Sequence, residues 1–386
     1  MATRPTPDIA PDGEADRSLP AWTYRDADFL DLEREHVFRP AWHLVCHAND
    51  IPEPGDWRSF ALLGELAIVV RGRDGAIRGF HNVCRHRAAR LLDGEGGHCP
   101  GRITCSYHGW SYGLDGALTG VPFEADYPDF DRADHGLAAI ECDRFAGFVF
   151  IRLESGGSSL ADYLAPVAEE MALYRFAEME PLIPVRSRIR EINWKNGTDN
   201  YVDALHIRIA HPGLNNLVHD SYRLTIEDGA DKIFADIDAP GRGTPSVAAY
   251  RALLPEADHL PPDRQRLWSY WKLWPALMFD VYPDQVDFMQ FIPVSPTRSI
   301  LRDAAYALPD SRREMRAARY LNQRINRQVN REDTDLIERV QAGMGSSSFA
   351  DGPLGRSEIG LRHFAERMRA AIPAARHAVK PSFADR

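Results

Sequence analysis

Two groups of residues in this 386-residue sequence have the types and spacing of metal ligands. The first pairs Cys84-Arg85-His86 with Cys105-Ser106-Tyr107-His108. Each half offers one thiolate and one imidazole two or three positions apart, at the end of a strand-like segment. Each can therefore form a hairpin tip, and two facing tips can hold a binuclear iron–sulfur cluster. With both thiolates on one iron and both neutral imidazoles on the other, the cluster is asymmetric. Histidine ligation then raises its potential well above that of all-cysteine clusters. A Cys2His2 zinc site is the competing reading, although zinc favours Cys-x2-4-Cys and His-x3-5-His pairs over mixed ones. Cys99, preceded by His98, is a rival ligand in the same loop, but its spacing to His86 is poor. Cys46 and Cys142 read as core thiols, and His43, His47 and His81 as structural.

The second group lies in residues 193–212, NWKNGTDNYVDALHIRIAHP. On a helix Asp203 and His206 are i, i+3 neighbours on one face. An unbroken helix would turn His211 away, since it is about 500° further round. Pro212 pushes the residue before it out of helical geometry, so the helix is expected to end before His211. One histidine on a terminating helix and another just past its end can chelate one metal. Two histidines plus one carboxylate, with open positions, is the donor set of non-haem Fe(II) oxygenases. The carboxylate must come from elsewhere. In Arg331-Glu332-Asp333-Thr334-Asp335, Asp333 shares a helix face with Leu336, Ile337 and Val340, whereas Asp335 sides with Glu338 and Arg339. A carboxylate on an apolar face needs a partner or a metal, which makes Asp333 the candidate.

The elements that must position these groups are legible in outline. A short helix fits 28–38. ELAIVVRG and AIRGFHNV form a hairpin across Arg73-Asp74-Gly75, a second turn sits at Asp115-Gly116, and AGFVFIRL (146–153) is a buried strand. A flexible break at 154–158 marks the domain boundary. The expected units are a tail and helix at 1–40 packing on the catalytic part, an antiparallel unit at 41–155 and a larger unit at 156–386. The latter should hold a helix at 159–176, aromatic strands over 266–296 and loops at Ala239–Pro245 and Pro255–Arg264. A long helix follows from near Ser311 to Gly343, capped by Asp310, with a break inside, and both chain ends fray.

Composition excludes several classes. With 46 Lys+Arg against 56 Asp+Glu, the net charge of −10 argues against non-specific binding to nucleic acid or anionic membranes. Five cysteines, an odd and thinly spread set, do not make a secreted disulfide scaffold. No run approaches the roughly 18 apolar residues of a membrane span, and the first residues lack a signal-peptide core. A cytoplasmic protein is expected.

Cys-x-His with Cys-x2-His, followed by Gly109-Trp110 and Tyr112, resembles the Rieske [2Fe–2S] motif. NWK…DNYVDALHIRIAHP and EDTDLIERVQAGM resemble the catalytic domain of Rieske non-haem iron oxygenase α subunits, of the aromatic-ring-hydroxylating family. The resemblance covers roughly residues 25–370. It implies an α+β fold, an antiparallel Rieske domain beside a helix-grip catalytic domain with a long C-terminal helix. It implies Cys84, His86, Cys105 and His108 as cluster ligands, and His206, His211 and Asp333 as ligands of mononuclear Fe(II). Asp203 would bridge the two metal sites across a subunit interface, and Asn200 would lie near the iron. Electrons would come from NAD(P)H through a separate reductase or ferredoxin. A head-to-tail homotrimer would bring one subunit's cluster to the next subunit's iron. Two departures, Leu205 where an aromatic such as Tyr is frequent and Asp203 rather than the Glu of some quaternary-ammonium demethylating relatives, touch the pocket or the bridge and make transfer of substrate unsafe.

The implied reaction uses O2 to hydroxylate or dihydroxylate a small aromatic substrate, with oxidative demethylation of a quaternary-ammonium or N-/O-methyl compound as the alternative. The aromatics Trp268, Tyr270, Trp271, Trp274, Phe279, Tyr282, Phe288 and Phe291 mostly pack the core, but some would line a pocket. An arene fits it, and so does an N-methylated alkylammonium through cation–π contact, with demethylation as the alternative outcome. A Rieske electron carrier without oxygenase chemistry and a zinc-binding interaction module are the rivals. The arginines of 312–331 could dock an acidic ferredoxin or simply flank a solvated helix.

Overall fold

Strand-forming runs between Asp-Gly and Gly-rich turns build the first half of the chain. The computed structural model describes residues 16–227, 229–237 and 243–381. After α1 (Ala27–Glu33), a seven-stranded antiparallel sheet contains β1 (His43–His47), β2 (Asp56–Leu62), β3 (Glu65–Arg71), β4 (Ile77–His81) and β5 (Gly96–His98). A small sheet follows, β6 (Arg102–Thr104), β7 (Ser111–Gly113) and β8 (Leu118–Gly120). Strands β9 (Ala139–Phe145) and β10 (Phe148–Arg152) return to the first sheet, whose order is β1-β10-β9-β4-β3-β2-β5. The β3–β4 and β7–β8 turns fall at the expected Asp-Gly positions. Gly116 has φ +87°, and a Cβ there would lie 2.5 Å from the Phe80 ring, so this turn requires glycine.

The second half is a seven-stranded antiparallel sheet carrying helices. Short helices α2 (Leu160–Leu164) and α3 (Ala168–Leu173) lead to β11 (Glu180–Arg190). Next come α4 (Trp194–Val202), α5 (Ile207–Ala210) and α6 (Pro212–Val218), then β12 (Arg223–Glu227), β13 (Ala230–Asp236) and α7 (Pro245–Leu253). Strands β14 (Leu267–Leu273), β15 (Leu277–Val281), β16 (Val286–Ser295) and β17 (Arg298–Ala307) complete the sheet, in the order β11-β17-β16-β15-β14-β13-β12. Helices α8 (Arg313–Gly343) and α9 (Ile359–Ala371) end the fold. Helix α8 packs on α4, α6 and α7, and α4 also touches β16, which leaves the site between these helices and the sheet.

One hydrophobic core runs through both sheets, joining Leu44, Phe148 and Phe150 to Phe279, Phe288 and Tyr306. Buried Arg302 ties them, donating to the Leu44 and Val45 carbonyls at 2.7 and 2.6 Å. A separate cluster with Trp57, Phe80, Trp110 and Tyr112 surrounds Cys84 and Cys105. Helix α1 is locked to α4 by the fully buried Glu33–Lys195 ion pair, with Trp194 Nε1 donating to Glu33 at 2.9 Å.

Several local expectations are corrected. The 159–176 helix is broken into α2 and α3 by a 3-10 turn that contains Pro166. Helix α8 is unbroken for 31 residues and starts at Arg313; Asp310 accepts from Arg312 N–H before the helix instead of capping it. Asp203 and His206 do not share a helix, because α4 ends at Val202 and α5 begins after His206. The 239–245 loop lies partly outside the described residues, and Pro245 opens α7. The expected frayed ends fall largely outside the described residues, whereas Arg17 already pairs with Asp351. Among the described residues no helix is long and apolar enough to cross a membrane.

Candidate metal centres and substrate pocket

The first centre rests on two loops that are near copies. In one, Cys84 N–H donates to Ala89 O (2.8 Å) and Ala88 N–H to Cys84 O (3.1 Å). In the other, Cys105 N–H donates to Trp110 O (2.8 Å) and Gly109 N–H to Cys105 O (3.0 Å). Both turn back through a left-handed residue, Ala88 at φ 57° and Gly109 at φ 75°. The cysteines end up buried while the imidazoles reach the rim, and the His86 and His108 ring centres are 4.6 Å apart.

The surroundings fit a cluster. His86 Nδ1 is buried and has no hydrogen-bond partner, as expected of a ligating nitrogen. Burial, helped by His108 and Arg87, pushes the His86 pKa down and favours the neutral imidazole a metal needs. Trp110 stacks on His86 at 4.9 Å and 9°, fixing the ring plane. The Tyr112 hydroxyl accepts from Arg85 N–H (3.0 Å) and donates to Cys84 Sγ (3.3 Å). Of the rival pair, His98 Nδ1 meets Asp56 Oδ1 at 2.9 Å, and Cys99 is buried with its backbone N–H bonded to Gly55 O. Cys46 is fully buried, Cys142 packs against the core, and His43 and His47 bond the carbonyls of Phe38 and Phe176.

The second centre gathers His206, His211 and Asp333, whose ligand atoms all lie within 4.8 Å of one another. His211 is the hinge between α5 and α6, at φ −119° and ψ 70°, as the following proline demands. Asp333 reaches in from the middle of α8, and Asp335 stays exposed. Asp333 Oδ1 is 2.9 Å from His211 Nε2 and 3.5 Å from His206 Nε2, and accepts from Asn200 Nδ2 at 2.8 Å. The outer nitrogens are held too. His206 Nδ1 meets Asp203 Oδ2 at 3.1 Å, and His211 Nδ1 meets Glu332 Oε2 at 2.8 Å. Such carboxylates orient ligating imidazoles and raise their basicity. Burial pulls the His206 pKa down, but Asp203 and Asp333 outweigh it and lift it to about 9. Despite burial, the hydrogen bonds from both histidines hold Asp333 well below the ordinary carboxylate range. Three anionic or imidazole donors facing one point, all oriented from outside, fit a mononuclear Fe(II) that keeps positions open.

A pocket opens beside this centre, lined by Asn200, Tyr201, Tyr222, Tyr270, Asp280 and Phe291 among others. Trp268, Trp271, Phe279, Tyr282 and Phe288 are core residues, whereas Tyr270 and Phe291 line the pocket. Asp280 is buried on β15, where the Tyr201 hydroxyl donates to it at 2.7 Å, and burial pushes its pKa up to about 6. Several of the arginines of 312–331 are engaged within the chain, while Arg313, Arg316, Arg327 and Arg331 are exposed. Arg312 pairs with Asp310, Arg319 bonds the Asp284 and Leu308 carbonyls, and Arg324 bonds Ser246.

Sequence reasoning did not assign Glu332, the Tyr112 hydroxyl or Asp280. Asp280 had a visible signal, an acid in the otherwise apolar run Leu277–Val281. Glu332 had only its place beside Asp333, and its role depends on where the imidazole of His211 sits.

Comparison with known proteins gives the same two parts. Residues 41–131 match the Rieske [2Fe-2S] domain, and residues 171–374 match the ring-hydroxylating α subunit catalytic domain. The carnitine monooxygenase oxygenase subunit of Escherichia coli K12 is 31% identical over 361 residues, covering 90% of this chain and 91% of that protein. A solved quaternary ammonium Rieske monooxygenase superimposes with a TM-score of 0.79 at 23% identity, over 96% of this chain and 99% of that one. Naphthalene 1,2-dioxygenase from Rhodococcus sp. gives 0.76 at 21%, over 92% and 94%. The protein is thus an oxidoreductase with a Rieske cluster and non-haem iron, fed by a separate reductase. Cluster-bearing sheet and iron-bearing helix-grip half in one polypeptide place this chain in the family of ring-hydroxylating Rieske oxygenase α subunits.

Proposed function

We propose that this terminal oxygenase acts on a small N-methylated alkylammonium, and that Cys84, His86, Cys105 and His108 hold its cluster. His206, His211 and Asp333 hold the iron, with Asn200 steering the Asp333 carboxylate. Residues 41–155 form the cluster unit and 156–386 the iron unit, with 16–40, the described part of the segment before them, packed on the latter. The observation that carries the substrate reading is Asp280. A neutral arene would leave this buried carboxylate without a countercharge, whereas an ammonium head would satisfy it and lie among the rings of Tyr201, Tyr222 and Tyr270. The relatives named for carnitine and quaternary ammonium substrates agree with it. Arene hydroxylation is the second reading, favoured by the aromatic lining and the likeness to naphthalene dioxygenase.

When bound, the iron supplies O2 activation and the cluster supplies single electrons. The chain's own residues arrange the rest. Asp203 takes the His206 Nδ1 proton in a hydrogen bond and so turns Nε2 inward; its other oxygen is fixed by Leu205 N–H at 2.8 Å. Asp203 can also accept from an incoming imidazole such as His108 of another copy. A head-to-tail homotrimer fits the apolar side chains left in the open next to these groups. Leu205 and Ile209 near Asp203 are 52% and 85% exposed, and Tyr107 beside His108 is 58% exposed. A cytoplasmic setting suits the free thiols.

The test is metal analysis of His206→Ala. The wild type should carry about three irons per chain and the variant about two, with the red-brown cluster and its EPR signal intact. Loss of both centres, or of neither, overturns the two-site assignment. Formaldehyde release from an N-methyl ammonium, against diol formation from an arene, decides between the substrate readings.

A further inference from the structure

A second, strongly polar crevice adjoins the iron pocket. It lies between β11, β16, β17 and α8, and shares Arg190, Asp280, Met289, Asn326, Asn330 and Thr334 with the pocket, so the two form one path. Its outer wall is arginine-rich for a structural reason. Arg186, Arg188 and Arg190 alternate along edge strand β11 and therefore share a face. Arg327 and Arg331, i and i+4 on α8, face them across the crevice.

Five arginines and four aspartates, Asp280, Asp287, Asp303 and Asp335, line the crevice, but they are not matched in pairs. Arg186 and Arg188 both pair with Asp303, at 2.8 and 2.5 Å. Arg190 bonds only the Ile189 carbonyl, at 3.3 Å, and neither it nor Arg327 nor Arg331 has a carboxylate in ion-pair contact among the described residues. Burial and Arg188 push the Arg190 pKa down against the opposing pull of Asp303 and Glu338. Arg190 and Asp280 both line the junction with the iron pocket, but they form no ion pair with each other among the described residues. An ammonium alone satisfies Asp280 and leaves Arg190, Arg327 and Arg331 without a carboxylate.

We infer that the substrate is a zwitterion whose carboxylate tail is anchored by Arg190 at the mouth of the iron pocket, with Arg327 and Arg331 drawing it in, while its ammonium head meets Asp280. This rests on the alkylammonium reading above and extends it to the other end of the molecule. Guanidinium is suited to the task because its planar fork bonds both carboxylate oxygens at once. A tail held at the mouth also directs the N-methyl end toward His206 and His211, which sets which carbon is oxidised.

The test compares γ-butyrobetaine with butyltrimethylammonium, which keeps the head and lacks the carboxylate. Kd is read by titration calorimetry on the holoenzyme, and kcat/KM by turnover with its electron donor. The wild type should prefer the zwitterion by about tenfold or more, the usual scale of a charge-assisted hydrogen bond. Arg190→Gln should bring that ratio close to one by raising Kd and KM for the zwitterion, and Arg190→Lys should restore part of it. Arg331→Gln, at an exposed position, should shift the ratio in the same direction and serves should the Arg190 variants misfold. An unchanged ratio in both overturns the anchor. A rise in KM for the electron donor with the substrate ratio intact also overturns it, and makes the crevice a docking surface. Asp280→Asn separates the two readings. If it leaves binding of both compounds untouched, or the wild type binds neither, the ammonium reading fails together with the anchor. If only the arginine variants are silent, the ammonium reading stands and the anchor alone falls.

Discussion

At His206, burial works against protonation and two carboxylates work for it, with the carboxylates prevailing. A metal settling there must displace that proton, so the pair Asp203 and Asp333 both prepares and guards the site. The two acids differ in purpose: Asp333 faces the inner nitrogens, and Asp203 faces the outer one. Asp203→Asn keeps the shape but removes the charge that holds the His206 tautomer and that can receive a second imidazole. The expected outcome is a variant with normal iron content and an intact cluster, in which electron transfer to the iron in single-turnover experiments slows by at least about tenfold. Single-turnover rates equal to those of the wild type would remove Asp203 from the bridging role. Tyr112 holds the other centre in a comparable way, since its hydroxyl lies in hydrogen-bond contact with Cys84 Sγ at 3.3 Å.

At the scale of elements, α4 is held from both sides. Buried Lys195 anchors it to α1, and Tyr24 donates to Asp199 at 2.6 Å, which fixes the last turn bearing Asn200 and the exit of the chain to Asp203. The opposite contact is closer still. A Cβ on Gly197 would lie 2.5 Å from the Phe291 ring of β16, and both residues line the pocket. In Gly197→Ala that ring must move into the cavity. Overpacking of about 1–3 kcal/mol is offset by about 1 kcal/mol of helix preference for alanine. Stability should therefore fall by no more than about 2 kcal/mol, while KM for the substrate rises severalfold. A thermal melt alongside steady-state kinetics checks this, and an unchanged KM would mean that Phe291 does not bound the bound substrate.

At the scale of the whole molecule, the sheets share one core, and two of its buried polar groups are histidines of β1. Burial holds the His43 pKa down at about 4, against an ordinary value of 6.5, and lowers that of His47 as well. A depressed histidine pKa means that the unfolded chain takes up the proton first. Stability is therefore full above pH 6.5 and is lost as the pH falls from 6.5 through 4, by about 3 kcal/mol for His43. His43→Gln, which can still donate to the Phe38 carbonyl, should flatten the fall of the thermal midpoint between pH 7 and 5. An equally steep fall in the variant would assign the acid sensitivity to other groups.

The amino-acid order alone pointed to the candidate donor sets. Cysteine, histidine and carboxylate chemistry is a property of residue type and short spacing, and so Cys84, His86, Cys105, His108, His206, His211 and Asp333 could be singled out before any fold was known. Turn chemistry was equally local, which is why both Asp-Gly hairpins fell where expected. The break between Asp203 and His206 was not legible, because it depends on where α4 meets its neighbours and not on local propensity. The parts that carry selectivity came only from tertiary structure. Glu332 reaches His211 across 121 positions, and Asp280, Arg190 and Arg331 come from β15, β11 and α8. Their pairing is a matter of distance in space, and whether a charge is satisfied can be known only when every neighbour is in place.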